Sequence, residues 1–282
     1  MLDAAAVNRM LAGRPGGARR SLGQNFVTDP GVIDDLVAAA GIGPASRVLE
    51  VGPGLGSLTL GLLAAGAEVV ALEKDPELLA MLRDAPGVRG AQGLRLVQGD
   101  ATEVDWQELL DGGSWQMVSN LPYNVAVPIV LGVLAGAPMV GALWSMVQLE
   151  VAERLCAGPG GRSIGVPTIK AAWYAQARMA MRVPPGAFTP RPRVHSAVVE
   201  MQRRPPPRDD VDPGEVFGLV EAGYRQRRKM LRSSLGGLAA PEVFELAGIE
   251  ATSRPEELGV SQWADLAAAR HGIAPVAGSS RR

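Results

Sequence analysis

The segment Arg47-Val-Leu-Glu-Val-Gly-Pro-Gly-Leu-Gly-Ser57 constrains this chain more than any other. A β-branched apolar run ends in glycines 52, 54 and 56 and passes directly into the helical pattern Leu58–Ala65. A strand that feeds a helix through so short a turn must lie in a sheet with its helix packed back on one face. The same alternation continues downstream. Buried strands are predicted at Arg47–Gly52, Glu68–Glu73, Leu94–Gln98, Met117–Ser119 and Ala142–Val147, with a further helix at Pro76–Arg83. Ahead of the first strand, Asp29 is a candidate N-cap and Pro30 a first helical residue. Val32, Ile33, Leu36 and Val37 form the apolar stripe of that helix. The expectation is an α/β fold with a parallel sheet and helices on both faces.

The proline-rich stretch RRPPPRDDVDP at 203–213 suits a stiff extended linker and hence a domain boundary. Beyond it no strand pattern remains, and helices are predicted at Val216–Tyr224, Arg227–Leu235, Glu242–Ala247 and Gln262–Ala269. The chain therefore reads as an N-terminal extension over 1–20, a sheet domain over 21–204, a small helical domain over 205–273 and a loose tail over 274–282. Its length of 282 residues and 47% hydrophobic content supply enough side chain for such cores. Charge and glycine break the apolar runs before the ~20 residues a membrane span needs, and the start carries no secretory pattern. One cysteine, Cys156, allows no internal disulfide, and two separated histidines supply no metal site. A cytoplasmic monomer without metal or membrane association is expected.

The net charge of −1 hides a polarity. Residues 1–150 carry nine Lys+Arg against 16 Asp+Glu, whereas residues 178–232 carry 12 against six. The basic stretch includes Arg178, Arg182, Arg191, Arg193, Arg203, Arg204, Arg225, Arg227, Arg228, Lys229 and Arg232. Arginine pairs with phosphates in a bidentate fork and stacks on bases, so a polyanionic partner is expected there, with several of the RQRRK residues sharing one helix face. The competing reading is a solvated basic surface.

The glycine spacing is G-x-G-x-G, not the dinucleotide fingerprint, and Glu50 leads it. A carboxylate at that point opposes a pyrophosphate and welcomes a cation, so a nucleoside bearing a sulfonium and an ammonium suits the loop better than a nicotinamide dinucleotide. Glu73 ends the second strand 21 residues beyond Gly52, where an acid can accept both ribose hydroxyls. Asp100 ends the third and can accept from an adenine amino group. Each acid singly reads as a strand end or a helix cap; together they point to an adenosyl ligand at the sheet's carboxyl edge.

After the fourth strand comes Asn120-Leu-Pro-Tyr123. An exocyclic adenine amine is a poor nucleophile because its lone pair is delocalised into the ring. Two acceptors that hold its N–H bonds let the nitrogen pyramidalise toward an electrophile. The Asn120 side-chain carbonyl and a backbone carbonyl at Leu121 or Pro122 can fill those places. Tyr123 offers a ring for an extruded base, a contact worth ~1–3 kcal/mol.

With these residues in view the chain resembles the KsgA/RsmA family of small-subunit ribosomal RNA adenine dimethyltransferases. The likeness runs through Ser21-Leu-Gly-Gln-Asn-Phe26, EVGPGLGSLT at 50–59, Glu73, Gly99-Asp100-Ala101, Asn120-Leu-Pro-Tyr-Asn124, Glu150–Leu155, Phe188–Val198 and RQRRKMLRSSL at 225–235. It implies a Rossmann-like class I S-adenosylmethionine-dependent methyltransferase sheet with a smaller all-helical C-terminal domain. It further implies that Asn25, Val27, Gly52, Gly54, Glu73, Asp100 and Asn120 hold S-adenosylmethionine. Asn120, Leu121, Pro122 and Tyr123 would hold the target adenine, with Phe188 as a second stacking wall. Arg191, Arg193, Arg225, Arg227, Arg228, Lys229 and Arg232 would contact RNA. The implied substrate is a pair of adjacent adenosines in the 3′-terminal hairpin loop of 16S rRNA, each dimethylated at N6 during small-subunit assembly. Val27 stands where the family often has Leu, and the segment before Ser21 is not closely covered. The alternatives are a 23S rRNA adenine N6-methyltransferase of the antibiotic-resistance type and a non-catalytic ribosome assembly factor.

Overall fold

A computed structural model of the chain describes residues 2–14 and 24–275. Arg19, Arg20, residues 21–23 of the Ser21 motif and residues 276–282 of the expected tail lie outside the described residues. The strands are β1 (Phe26–Val27), β2 (Arg47–Val51), β3 (Glu68–Glu73), β4 (Leu94–Gln98), β5 (Trp115–Asn120), β6 (Val140–Gln148), β7 (Ala175–Val183), β8 (Phe188–Thr189) and β9 (Ser196–Arg203). The helices are α1 (Ala4–Ala12), α2 (Pro30–Ala39), α3 (Ser57–Ala64), α4 (Pro76–Asp84), α5 (Trp106–Leu109) and α6 (Ala126–Gly136). They continue with α7 (Leu149–Leu155), α8 (Val166–Tyr174), α9 (Pro213–Arg225), α10 (Leu231–Ser234), α11 (Pro241–Ala247) and α12 (Val260–Ala269).

The chain divides into two compact units, one of Met1–Ala152 with Ala177–Arg203, the other of Glu153–Gln176 with Arg204–Arg282. In the first, seven strands run in the order β4-β3-β2-β5-β6-β9-β7. Pairing is parallel from β4 through β6 and turns antiparallel where β9 joins β6. All five predicted strands are present. Val48, Val69, Ala71, Val118 and Trp144 from the sheet pack with Ile33 and Leu36 of α2 and Leu58 and Leu62 of α3. Burial on both faces explains why β2, β3, β5 and β6 read as apolar runs, whereas β4 at the sheet edge is only part-buried. The order reverses between β2 and β5, and at such a switch point diverging loops leave a crevice at the strands' carboxyl ends. Helix α6, AVPIVLGVLAG, is apolar nearly all round, so no 3.6-residue stripe marks it in the sequence.

Asp29 caps α2 as expected, its side chain accepting from Gly31 N at 2.9 Å, with Pro30 in the first turn. Asp29→Ala is expected to lower stability by ~1 kcal/mol, as N-cap removals do. Denaturant unfolding reads this directly, and an unchanged midpoint would show the cap to be without weight.

The second unit is helical. Ile164, Ile169 and Trp173 share a core with Val216, Leu219 and Val220 of α9, Phe244 of α11 and Trp263 and Leu266 of α12. Residues 153–176, which the sequence reading groups with the sheet, therefore place their apolar side chains in the helical unit. The proline-rich segment is anchored by Arg208, 5% exposed, whose guanidinium donates to Asp265 at 2.8 Å and to Asp210 at 2.7 Å. The helix expected over Arg227–Leu235 is corrected. Helix α9 ends at Arg225, tight turns follow, and α10 spans only Leu231–Ser234. Lys229 N donates to Gln226 O at 2.8 Å, and Met230 is extended at φ −63°, ψ 150°. Five consecutive polar residues give a helix nothing to bury, so the RQRRK residues do not share a helix face.

Candidate active site

The carboxyl ends of β2, β3 and β5 and the loop after β4 line one pocket, together with residues 24–27. The β2–α3 turn forms its floor. Gly54 (φ +58°) and Gly56 (φ +94°) occupy the left-handed region that side chains disfavour. Space excludes side chains as well. A Cβ on Gly54 would stand 2.8 Å from the Phe26 ring, and one on Gly56 2.4 Å from Leu82 Cδ1. The turn is thus held tight on the helix entry, and Gly52 and Gly54 line the pocket.

Glu50 is 1% exposed and accepts from Thr59 Oγ1 at 2.7 Å. Burial pushes its carboxyl up to about 8, against the lowering effect of the Thr59 hydrogen bond. Glu73 spends both oxygens on backbone. Oε2 accepts from Gly54 N at 3.1 Å and Oε1 from Asp75 N at 2.9 Å. Each oxygen keeps a further lone pair, so the carboxylate is oriented and can still receive two hydroxyls. Burial raises its pKa above the ordinary carboxylate value. Asp100 lies beyond. Oδ1 accepts from Thr102 N at 2.9 Å and from Thr102 Oγ1 at 2.8 Å, while Oδ2 meets Lys74 Nζ. These partners, the Lys74 ammonium first, lower its pKa to about 2. An amino group reaching Asp100 must share it with Lys74.

Asn120 ends β5 and donates through Nδ2 to Asn25 O at 2.8 Å. That bond fixes which end of the amide is which and leaves Oδ1 as the acceptor end. Leu121 N donates to Met146 O at 3.1 Å, tying the turn to β6, and its side chain is buried. Pro122 O accepts from Val125 N at 3.1 Å and closes the turn. The Tyr123 hydroxyl shares a 2.6 Å hydrogen bond with buried Ser196 at the start of β9, and burial keeps the phenol above its usual pKa.

The pocket thus brings together Asn25, Val27, Gly52, Gly54, Glu73, Asp100, Asn120, Leu121, Pro122 and Tyr123. Phe188 is not among its lining residues. It is 3% exposed, pairs across from Val27 in the β1–β8 ladder and packs in the sheet core, so its ring presents no open face here. Arg191, Arg193, Arg225, Arg228, Lys229 and Arg232 are exposed, whereas Arg227 donates to Arg162 O at 2.9 Å. Arg203 is structural, donating to Val140 O, Leu134 O and Ala137 O at 3.0–3.1 Å. The sequence reading does not single out Thr59, Lys74 or Ser196. Lys74, next to Glu73 at a strand end, had a positional signal; Ser196 is visible only through its pairing with a distant tyrosine.

The family model for ribosomal RNA adenine dimethylase matches residues 17–270. Ribosomal RNA small subunit methyltransferase A of Kineococcus radiotolerans is 47% identical over 264 residues, covering 92% of this chain and 88% of its own. The protein of the same name from Thermobifida fusca is 43% identical over 95% of each chain. A dimethyladenosine transferase from Plasmodium falciparum shares the fold, with a TM-score of 0.72 at 21% identity over 89% of this chain and 100% of that one. A family match over nearly all the described residues, on a sheet whose switch point gathers the glycine turn, two acids and the Asn120 turn, leaves one assignment: this chain belongs to the ribosomal RNA adenine dimethylases.

Proposed function

We propose that this chain dimethylates N6 of two adjacent adenosines in the 3′-terminal hairpin loop of 16S rRNA during small-subunit assembly, with S-adenosylmethionine as methyl donor. One observation carries the chemistry. The Asn120 amide is locked by its bond to Asn25 O, in the lining of a pocket whose donor set suits an adenosyl sulfonium. Glu73 has an oriented carboxylate for a ribose diol, Asp100 an ionised one for an amino group, and Glu50 a buried acid for a cation. Bound there, S-adenosylmethionine supplies an electrophilic methyl on sulfur.

The chain's own work is on the amine. Asn120 Oδ1 accepts one N6 hydrogen, and the Leu121 carbonyl, next to the one that closes the turn, accepts the other. Held so, the nitrogen directs its lone pair out of the ring plane. Tyr123, steadied by Ser196, offers its ring to the base. After one methylation a single N–H remains, and one acceptor suffices to orient it. The proton is shed after the nitrogen has become cationic, so no base need lie within the site. With Phe188 buried, stacking in this geometry falls to Tyr123 alone.

The exposed arginines of residues 191–193 and 225–232 provide phosphate contacts on each unit. Relatives named for the small subunit at 43–47% identity favour that substrate over large-subunit RNA. The test offers labelled S-adenosylmethionine with unmodified small subunits, large subunits and naked RNA. Methyl incorporation into small subunits alone, up to about four groups per particle, is expected, with binding that weakens steeply as salt rises. Preferential labelling of large subunits would overturn the substrate assignment.

A further inference from the structure

The N-terminal helix α1 lies ahead of the span matched by the family model, yet it packs behind residues that line the pocket. Val7 and Leu11 pack with Phe26, Leu55 and Leu78. Phe26 is the ring against which Gly54 is pressed, so α1 backs the glycine turn through one apolar side chain. A second, polar path leaves the end of the same helix. Arg14 is 6% exposed and pairs with Asp75, with Glu77 Oε2 at 2.8 Å and with Gln24 Oε1 at 3.1 Å. Gln24 Nε2 returns to Asp75 Oδ2 at 3.1 Å. The other Asp75 oxygen caps α4 through Glu77 N at 3.1 Å, and the Asp75 backbone N–H holds Glu73 Oε1. Arg14 is thus one residue removed from a carboxylate that lines the pocket.

We propose that Arg14 is a positioning residue for the cofactor: docked with α1, it fixes the Glu73–Asp75 turn and residues 24–26 in the form that binds S-adenosylmethionine. The electrostatics require such a partner. Asp75 is 2% exposed and two residues from Glu73, which is itself buried. Two buried carboxylates so close oppose each other's ionisation, and a guanidinium on one of them relieves the other. A fork that reaches Asp75, Glu77 and Gln24 at once also sets geometry, which a lysine cannot reproduce in full. Nothing in this arrangement touches the target amine. Its effect therefore falls on cofactor affinity and spares the methyl-transfer step.

This inference rests on reading the pocket as the S-adenosylmethionine site, and calorimetry on the wild-type chain tests that reading first. Arg14→Met is expected to raise Kd and KM for S-adenosylmethionine about tenfold. The kcat at saturating cofactor and the KM for small subunits stay within twofold. Arg14→Lys should recover about a third of the lost affinity, and Arg9→Ala, on the exposed side of α1, should change nothing. Linkage makes the effect reciprocal, so saturating S-adenosylhomocysteine should slow hydrogen exchange of the α1 amides by a similar factor in the wild-type chain. That second measurement stands even where Arg14→Met does not fold. Failure of the wild-type chain to bind the cofactor would remove the parent reading. Wild-type binding with α1 exchange indifferent to ligand, or a folded Arg14→Met with unaltered Kd, would overturn the role of Arg14 alone.

Discussion

Asn120→Ala is expected to bind S-adenosylmethionine within a few-fold of the wild-type chain and to transfer methyl groups about 10²–10³ times more slowly, the loss seen when one preorganised hydrogen-bond partner of a transition state is removed. The two effects separate because Asn120 does two things. Its nitrogen braces Asn25, a pocket-lining residue, through the 2.8 Å bond to the Asn25 carbonyl. Loss of that brace would loosen one edge of the proposed cofactor site and account for the modest fall in affinity. Its oxygen is the acceptor proposed for the N6 hydrogen, and without it the amine's lone pair stays in conjugation with the ring. Single-turnover rates at saturating cofactor on unmodified small subunits measure the second effect free of the first. Asn120→Asp sharpens the test: a carboxylate keeps the acceptor but cannot donate to Asn25 O, so its affinity should suffer and its chemistry recover in part. A single-turnover rate within threefold of wild type for Asn120→Ala would end the assignment of this side chain to the amine.

Much of this pocket is legible in the sequence because its lining residues lie close to where the sequence puts them. Glycines at alternate positions after a strand, an acid at each of the next two strand ends and Asn-Leu-Pro-Tyr after a fourth are local signals that one parallel sheet gathers at one edge. What the sequence hid is what depends on distance or on the absence of contrast. Arg14 meets Asp75 across 61 residues, and Tyr123 meets Ser196 across 73, with no periodicity to announce either. Helix α6 is too uniformly apolar to show a face. The family resemblance implies a stacking wall at Phe188, yet a two-strand ladder with Val27 turns it into the core. The RQRRK run failed as a helix for the opposite reason, having charge but no apolar side to hold it down.

Cofactor affinity is expected to rise with pH up to about 8 and to fall again above it, with Glu50 responsible for the acid limb. In the ligand-free protein this carboxyl is buried and titrates at about 8, so at neutral pH it is mostly protonated. In the proposed site the ammonium and sulfonium of S-adenosylmethionine would favour its ionised form, so binding is expected to expel the proton. Below about 8 the affinity then improves by as much as roughly tenfold per pH unit, or about fiftyfold from pH 6 to 8 where the bound form stays ionised. Above that range the ligand's own α-amino group, with a pKa of about 8, loses the charge that Glu50 attracts. Stability moves the other way. Unfolded, the carboxyl titrates near 4.5; folded, it holds its proton to about 8, so between those values the folded chain binds the extra proton. The ligand-free protein should therefore lose stability as pH rises through that window, by at most ~1.4 kcal/mol per unit. Glu50→Gln keeps the shape and a partner for Thr59 but cannot ionise. It should flatten both the acid limb and the stability slope and bind S-adenosylmethionine most poorly, relative to wild type, near pH 8. Calorimetry at pH 7 in two buffers of different ionisation enthalpy counts the proton directly. A wild-type chain that binds S-adenosylmethionine without releasing one would remove Glu50 from contact with the ligand's charge.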